Sequence, residues 1–321
     1  MLKNFDRNTL EILILKHFPE EKSSITFHPI TTGKFNKSYI VKCKSRDLVL
    51  RIAPPQDIGL IFYEKNMMAQ EPGIHRIVME KTCIPVPEIY VYDTSHSIID
   101  SDYLIMERIN GITATDAHFL TKNQWDNVLY QVGEYLRELH SVTTEKYGYL
   151  GEHHPMEPQK DWASAFKVIW NKMVNQIVDV EGYSKVEGQF FTELLEKHIE
   201  IFEHNPQSSL LHMDIWHQNV ILDRNGKVVG IVDWDRALWG DVEIEFAVLD
   251  YCGISESPFW KGYGKERDTS ESAQVRNVFY LLYEIQKYII IYATRRYNPM
   301  TKEQYKNQVF RIAESIKQIN N

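Results

Sequence analysis

Leu211-His212-Met213-Asp214-Ile215-Trp216-His217-Gln218-Asn219, followed by Ile231-Val232-Asp233-Trp234, carries the most chemistry of any stretch in the chain. It offers an Asp, an Asn five residues later, and a second Asp at the end of a short apolar run. Moving a phosphoryl group from a nucleotide needs that set. One carboxylate orients the attacking hydroxyl and receives its proton, while an amide oxygen and a second carboxylate hold the Mg²⁺ that neutralises phosphate charge. On this reading Asp214 is the base, and Asn219 and Asp233 are the metal ligands.

The Asp-x-x-x-x-Asn spacing is that of a kinase catalytic loop. Leu211 to Asp241 resembles the signature of aminoglycoside phosphotransferase and choline kinase relatives. Their loop usually reads His-Gly-Asp, with Asn five after the Asp, an Ile-Asp-Trp-like strand end and a Trp-Gly-Asp. This chain has His212, Asp214, Asn219, Asp233, Trp234 and Trp239-Gly240-Asp241. Met213 replaces the usual Gly, and Glu245 stands where relatives often carry Asp. The resemblance implies an α+β, protein-kinase-like fold of two lobes. A small antiparallel-sheet lobe with one main helix, residues 1–109, would bind the nucleotide. A larger, mostly helical lobe, residues 110–321, would hold the catalytic residues and the acceptor. The implied activity is ATP- and Mg²⁺-dependent phosphorylation of a hydroxyl on a small molecule, an aminoglycoside-like compound, an amino alcohol or a sugar; nothing in the motifs selects ATP over GTP.

Composition is consistent with this. The chain has 321 residues and 43% hydrophobic content, enough for a large core and more naturally two lobes than one. The formal net charge of −8 argues against nucleic acid or an anionic membrane as main partner and is compatible with a cationic acceptor. Cys43, Cys83 and Cys252 are too sparse for a disulfide framework or a zinc site and fit reduced thiols in the cytoplasm. Residues 1–21 alternate charge with Leu10, Ile12, Leu13, Leu15 and Phe18, the pattern of an amphipathic helix and not of a signal peptide.

The first third reads as strands around one helix. Ser24–Ile30, Ser38–Cys43, Leu48–Ala53, Glu88–Tyr92 and Tyr103–Glu107 are β-rich runs. A helical pattern covers Leu60–Lys81, with Pro72-Gly73 as an early break or entry point. After Asn110-Gly111 helices dominate: Thr121–His140, Asp161–Asp179, Gly188–Glu203, Val242–Tyr251, Gln274–Arg295 and Lys302–Ile319. Between them a β patch, Leu210–Val232, holds the signature, with Asn225-Gly226 as its hairpin turn.

The resemblance also implies nucleotide contacts. Thr31–Ser38 lies between two strands, and Gly33, Asn36 and Ser38 there would bring backbone N–H groups to phosphate oxygens. An ordinary hairpin turn explains the segment equally simply. Arg51 stands where most kinases place the phosphate-pairing Lys; a surface strand-end Arg is the other reading. Glu71 is its expected partner, with Glu64 as competitor. Met106, Glu107 and Ile109 would form the hinge, through the Glu107 carbonyl, the Ile109 N–H and the Met106 side chain. His212 would brace the catalytic loop, and Asp235 would face the acceptor, joined by Glu243 or Asp250. Trp260, Tyr263, Tyr280 and Tyr283 fit either a core or a platform for an apolar or quaternary ammonium ligand.

Two other readings use the same residues. His212, Asp214 and His217, with His153-His154, could form a metal-hydrolase cluster, but that leaves Asn219, Asp233 and Trp239-Gly240-Asp241 unused. A nucleotide-binding regulator without catalysis would account for Arg51 and Met213, but a dead site has no chemical need for Asp214, Asn219 and Asp233 together.

Overall fold

The computed structural model describes residues 5–22, 24–33, 35–56 and 59–319. Residues 1–4 of the expected first helix and Lys34 of the expected phosphate hairpin lie outside the described residues. The first helix, α1 (Arg7–His17), starts where the Asp6 side chain accepts the Thr9 N–H. It buries Leu10, Leu13 and Ile14 against a five-stranded sheet. That sheet comprises β1 (Thr26–Ile30), β2 (Lys37–Lys42), β3 (Asp47–Ile52), β4 (Ile89–Asp93) and β5 (Tyr103–Glu107). The spatial order is β1-β2-β3-β5-β4, with every neighbouring pair antiparallel. Period-two alternation along β3 sends Leu48, Leu50 and Ile52 into the core shared with α1. Val49 and Arg51 therefore take the other face, towards the cavity between the lobes.

The helical pattern over Leu60–Lys81 yields a shorter helix than it predicts. The helix α2 is Glu71–Lys81, preceded by a 3₁₀ turn over Met67–Gln70. Pro72 is tolerated only in a first turn, where its missing N–H costs nothing. Asn66, with φ +54°, interrupts the chain just before. The preceding residues pack on the helical lobe instead. Gln176 Nε2 donates to the Leu60 carbonyl at 2.6 Å, and the Phe62 N–H donates to Gln176 Oε1 at 2.8 Å. Ile61, Tyr63 and Met67 thereby join the core of the other lobe.

Beyond the hinge come β6 (Ile112–Thr113), α3 (Lys122–His140), β7 (Thr143–Thr144), α4 (Trp162–Asp179) and α5 (Lys185–Lys197). Thr121 and Gln124 form a reciprocal capping box at α3, whose buried stripe is Val128, Val132, Leu136 and Leu139. The same device, Ser184 with Glu187, starts α5 earlier than the expected Gly188. The expected β patch resolves into β8 (Ser208–Leu211), β9 (Val220–Leu222), β10 (Val228–Ile231) and β11 (Leu238–Gly240). These build two three-stranded sheets, β10-β9-β6 and β11-β8-β7. The remainder is α6 (Val242–Tyr251), α7 (Ser257–Tyr263), α8 (Glu271–Ala293) and α9 (Pro299–Ile319). The sequence patterns do not anticipate α7, which packs on α3 backbone to backbone. A Cβ on Gly262 would lie 1.9 Å from the Tyr130 carbonyl oxygen, and one on Gly133 would lie 2.2 Å from that of Phe259.

The small antiparallel lobe and larger helical lobe make a protein-kinase-like fold. Tyr263, Tyr280 and Tyr283 are core, and Trp260 packs at its edge. No described helix is long and apolar enough to cross a membrane. The three cysteines are unbridged.

Candidate active site

Asp214 and Asn219 lie on the turn between β8 and β9, and Asp233 follows β10. All three line one cavity of about 690 Å³ between the lobes. Asn219 Nδ2 donates to Asp214 Oδ2 at 3.0 Å and to the Asp214 carbonyl at 2.9 Å. The spacing of five residues thus closes a tight loop that aims the carboxylate.

His212 braces this loop from within. Its Nδ1 accepts the Asp214 N–H at 3.2 Å, and its Nε2 donates to the Val232 carbonyl at 3.1 Å. That pattern needs a neutral ring, and burial lowers its pKa accordingly. Glu245 holds the loop from below. Its Oε1 accepts the Met213 N–H at 2.7 Å and the His212 N–H at 3.1 Å, and its Oε2 lies 2.8 Å from His140 Nε2. Met213 has φ +65°, a left-handed backbone that suits the Gly usual at this position.

The small lobe contributes Arg51 and Glu71. Arg51 Nη1 is 2.6 Å from Glu71 Oε2, and Nη2 is 2.6 Å from Asp233 Oδ1 and 3.1 Å from Asp235 Oδ2. Glu64 pairs instead with Arg295, whose Nη2 is 2.7 Å from Oε1. Arg51 is buried, not a surface strand end. Asp235, expected to face the acceptor, lines the cavity with its carboxylate held from the small lobe. Its carboxylate is bound by Arg51 and by Asn36 Nδ2, the latter at 3.3 Å, because the 3₁₀ turn after Asp233 points it back across the lobe interface. Glu243 pairs with Arg276 and Asp250 with Arg267, so neither lines the cavity. Gly33, Ser38, Met106, Glu107 and Ile109 all line it.

Mg²⁺ fits the residues present. Oxygens of Glu71, Asp233 and Asp235 lie within 4.8 Å of one another. Three carboxylates face a single guanidinium, which leaves the cluster short of positive charge. Burial pushes the carboxyl groups of Glu71 and Asp235 upward. Glu71 Oε1 is buried without a hydrogen-bond partner. A hard divalent cation with oxygen ligands would relieve both faults. No comparable nitrogen-rich centre forms from the expected histidines. His212 is engaged with backbone, His217 stacks on Trp125 with ring centroids 5.2 Å apart, and His153 is half-buried, edge-on to Tyr149.

One group escaped the sequence reading. Arg236 bridges Asp214 Oδ1, at 3.1 Å from Nη1, and Glu284 Oε2, at 3.0 Å from Nη2, and Lys287 pairs with the same Glu284. Burial raises the Asp214 pKa, but Arg236 and Lys287 outweigh it and hold the carboxyl below its ordinary value. The available signal was the ionisable residues interrupting the apolar run of α8.

Residues 26–262 match the model of the phosphotransferase enzyme family. A protein named "Probable ketoamine kinase" from Staphylococcus aureus is 26% identical over 295 residues, covering 86% of this chain and 90% of the relative. A protein of the same name from Vibrio cholerae is 25% identical over 223 residues, covering 65% and 69%. Among solved structures, a thermostable mutant of aminoglycoside phosphotransferase APH(4)-Ia, in ternary complex with AMP-PNP and hygromycin B, superposes with a TM-score of 0.65. It is 18% identical, with 95% of this chain and 97% of that one covered. The chain belongs to the phosphotransferase enzyme family and is a small-molecule kinase.

Proposed function

We propose that the enzyme transfers the γ-phosphoryl group of ATP, with Mg²⁺, to a hydroxyl of a sugar-like small molecule. The observation that carries this reading is the convergence of Asp214, Asn219, Asp233 and Arg51 on one interlobe cavity, with Glu71 paired to Arg51 behind its wall. A purine nucleotide is favoured by the apolar inner wall of Ile40, Val49 and Met106 beside the Glu107–Ile109 backbone, and ATP by the AMP-PNP bound in the similar structure. Ketoamines, sugars joined to an amine, are the first acceptors to test, because two relatives carry that name.

Asp214 receives donors on both carboxylate oxygens, from Arg236 and Asn219. Each oxygen keeps a lone pair for the acceptor hydroxyl. The hydroxyl oxygen forms a bond to the γ-phosphorus as the bond to the β–γ bridging oxygen breaks. The proton passes to Asp214 and ADP leaves. Asn219 and Asp233 would hold Mg²⁺, with Glu71 and Asp235 completing the carboxylate cluster beside Asp233, and the ion would neutralise charge on the phosphates. Arg51 adds a fixed cation, positioned by Glu71. Catalysis is placement plus electrostatics, so no carboxylate needs an unusual pKa.

The test is ATP consumption over a panel of ketoamines, sugars, amino alcohols and aminoglycosides, in wild type and Asp214→Asn. Turnover should vanish in the variant while nucleotide affinity changes by less than about tenfold, or 1.4 kcal/mol. A catalytically silent regulator would show no acceptor-dependent turnover in either form.

A further inference from the structure

The end of the cavity beyond Asp214 is lined by Arg236, Glu284, Lys287, Tyr251, Tyr288 and Ile291. Its charge differs from that of the nucleotide end. Three carboxylates face one cation around Arg51, whereas here two cations, Arg236 and Lys287, converge on Glu284. Arg236 also touches the base Asp214. Both cations are at least nine-tenths buried. Their donors are incompletely used. Arg236 Nε is buried without an acceptor, and Glu284 is the one hydrogen-bond acceptor of the Lys287 ammonium, which has three donors, among the described residues. The neighbouring Arg295–Glu64 pair is already neutral in sum.

With Asp214 and Glu284 ionised the four charges balance in sum, but the donors do not: Arg236 Nε and the remaining Lys287 N–H groups are buried without acceptors. Buried donors left without acceptors are costly. The carboxylates first expected to receive a cationic acceptor, Asp235, Glu243 and Asp250, are each paired with an arginine.

We infer that the acceptor carries a carboxylate beside its reactive hydroxyl, held at the Arg236–Lys287 end of the cavity. The inference rests on the kinase reading above and narrows it to hydroxylated carboxylic acids, including ketoamines formed from amino acids. The same two cations disfavour a polycationic acceptor at this end of the cavity. The Tyr251 and Tyr288 rings would flank the carbon skeleton.

Calorimetric titration of the enzyme saturated with Mg²⁺ and AMP-PNP provides the test. Two matched sets serve as probes: N-fructosylglycine against 1-deoxy-1-methylaminofructose, and gluconate against glucose and glucosamine. The carboxylate-bearing member of at least one set should bind at least about tenfold more tightly than its uncharged or cationic counterpart. Lys287→Met should erase most of that preference while leaving AMP-PNP affinity unchanged. Equal affinities within both sets, tighter binding of glucosamine, or no measurable binding of either carboxylate probe at millimolar concentration would overturn the inference. The wild-type comparison stands even if Lys287→Met fails to fold. Failure of Mg²⁺–AMP-PNP to bind at all is a separate result, and it removes the kinase reading and this inference with it.

Discussion

Glu245 Oε1 accepts the backbone N–H of Met213 at 2.7 Å, so a helix-borne carboxylate holds the one catalytic-loop residue whose side chain departs most from the family pattern. The N–H of Met213 is fixed while its φ of +65° strains the backbone. Substituting Gly tests which matters more. Relief of the left-handed conformation is worth about 1–2 kcal/mol. Met213 is fully buried in the main core, however, and deleting a buried Met side chain costs about 2–5 kcal/mol. Met213→Gly should therefore lower stability. Met213→Ala, which keeps the strain and also loses most of the packing, should be no more stable than Met213→Gly. Urea denaturation of the three proteins ranks them directly.

Removing the Glu245 carboxylate strands two buried N–H donors and the His140 ring at once. Glu245→Ala should cost about 3–5 kcal/mol, the usual range for breaking a buried charged contact. Glu245→Gln keeps one oxygen for the backbone donors and should cost less. Its kcat should still fall, because the loop that aims Asp214 is anchored through that group. A variant with unchanged kcat would show that the loop holds its shape without Glu245.

Asp233→Asn should trade function for stability. Three carboxylates share Arg51, and Asn tolerates the φ of +70° at this position. Removing one charge in the absence of metal should raise stability by about 1 kcal/mol. Mg²⁺-dependent ATP binding should weaken by at least about tenfold, because a ligand oxygen is lost. Thermal shifts with and without Mg²⁺–ATP read both effects; a rise in Tm together with wild-type Mg²⁺ dependence would remove Asp233 from the metal site.

Burial lowers the His75 pKa to about 4 from an ordinary 6.5. Its Nδ1–H donates to the Pro87 carbonyl at 2.9 Å, and its Nε2 is buried without a hydrogen bond, 3.8 Å from Glu71 Oε2. The folded protein therefore keeps this ring neutral. As pH falls through 6.5 the unfolded chain takes up a proton that the folded chain refuses, so stability drops until about pH 4. At about pH 5 the loss from this group is roughly 2 kcal/mol. His75→Gln retains a donor for Pro87 and should show that much less loss between about pH 8 and about pH 5. An identical slope in both proteins would mean that the ring titrates normally.

Local signals were the legible part of this molecule. The caps at Thr121 and Asp161 act over three residues, and the helices they open stand in the sequence as patterns, whereas α5 opens at Ser184, ahead of the Gly188 start that its pattern suggests. The Asp214–Asn219 contact spans only five residues, so spacing alone announces it. Contacts made by tertiary approach were not visible. Arg236 and Glu284 are separated by 48 positions, and the pairing of Arg295 with Glu64 by 231. The partners of Asp235 were hidden for the same reason: spacing places it near Asp233, but the 3₁₀ turn over Trp234–Arg236 brings its carboxylate to Arg51 and Asn36. The start of α2 was misjudged because Tyr63 and Met67 are apolar at helical intervals yet serve the other lobe's core.

The choice between Glu71 and Glu64 as partner of Arg51 has a geometric answer, and it sets a kinetic one. Arg51 contacts Glu71 and Asp233 at 2.6 Å each, so one guanidinium joins the helix of the small lobe to the proposed metal site. If the two residues act as a unit, their effects on kcat/KM cannot add. Arg51→Ala should lose the most activity, Glu71→Ala somewhat less, and the double variant little more than Arg51→Ala alone. Stability should move differently. Arg51→Ala leaves Glu71 and Asp235 buried without their cation, a loss of about 3–5 kcal/mol. The double variant removes one of those stranded charges and should recover part of it. Arg51→Lys keeps the charge but offers one ammonium where two nitrogens now reach separate carboxylates. It should retain activity well above Arg51→Ala and below wild type. Fully multiplicative kinetic losses, with no stability recovered in the double variant, would show that Glu71 and Arg51 act independently.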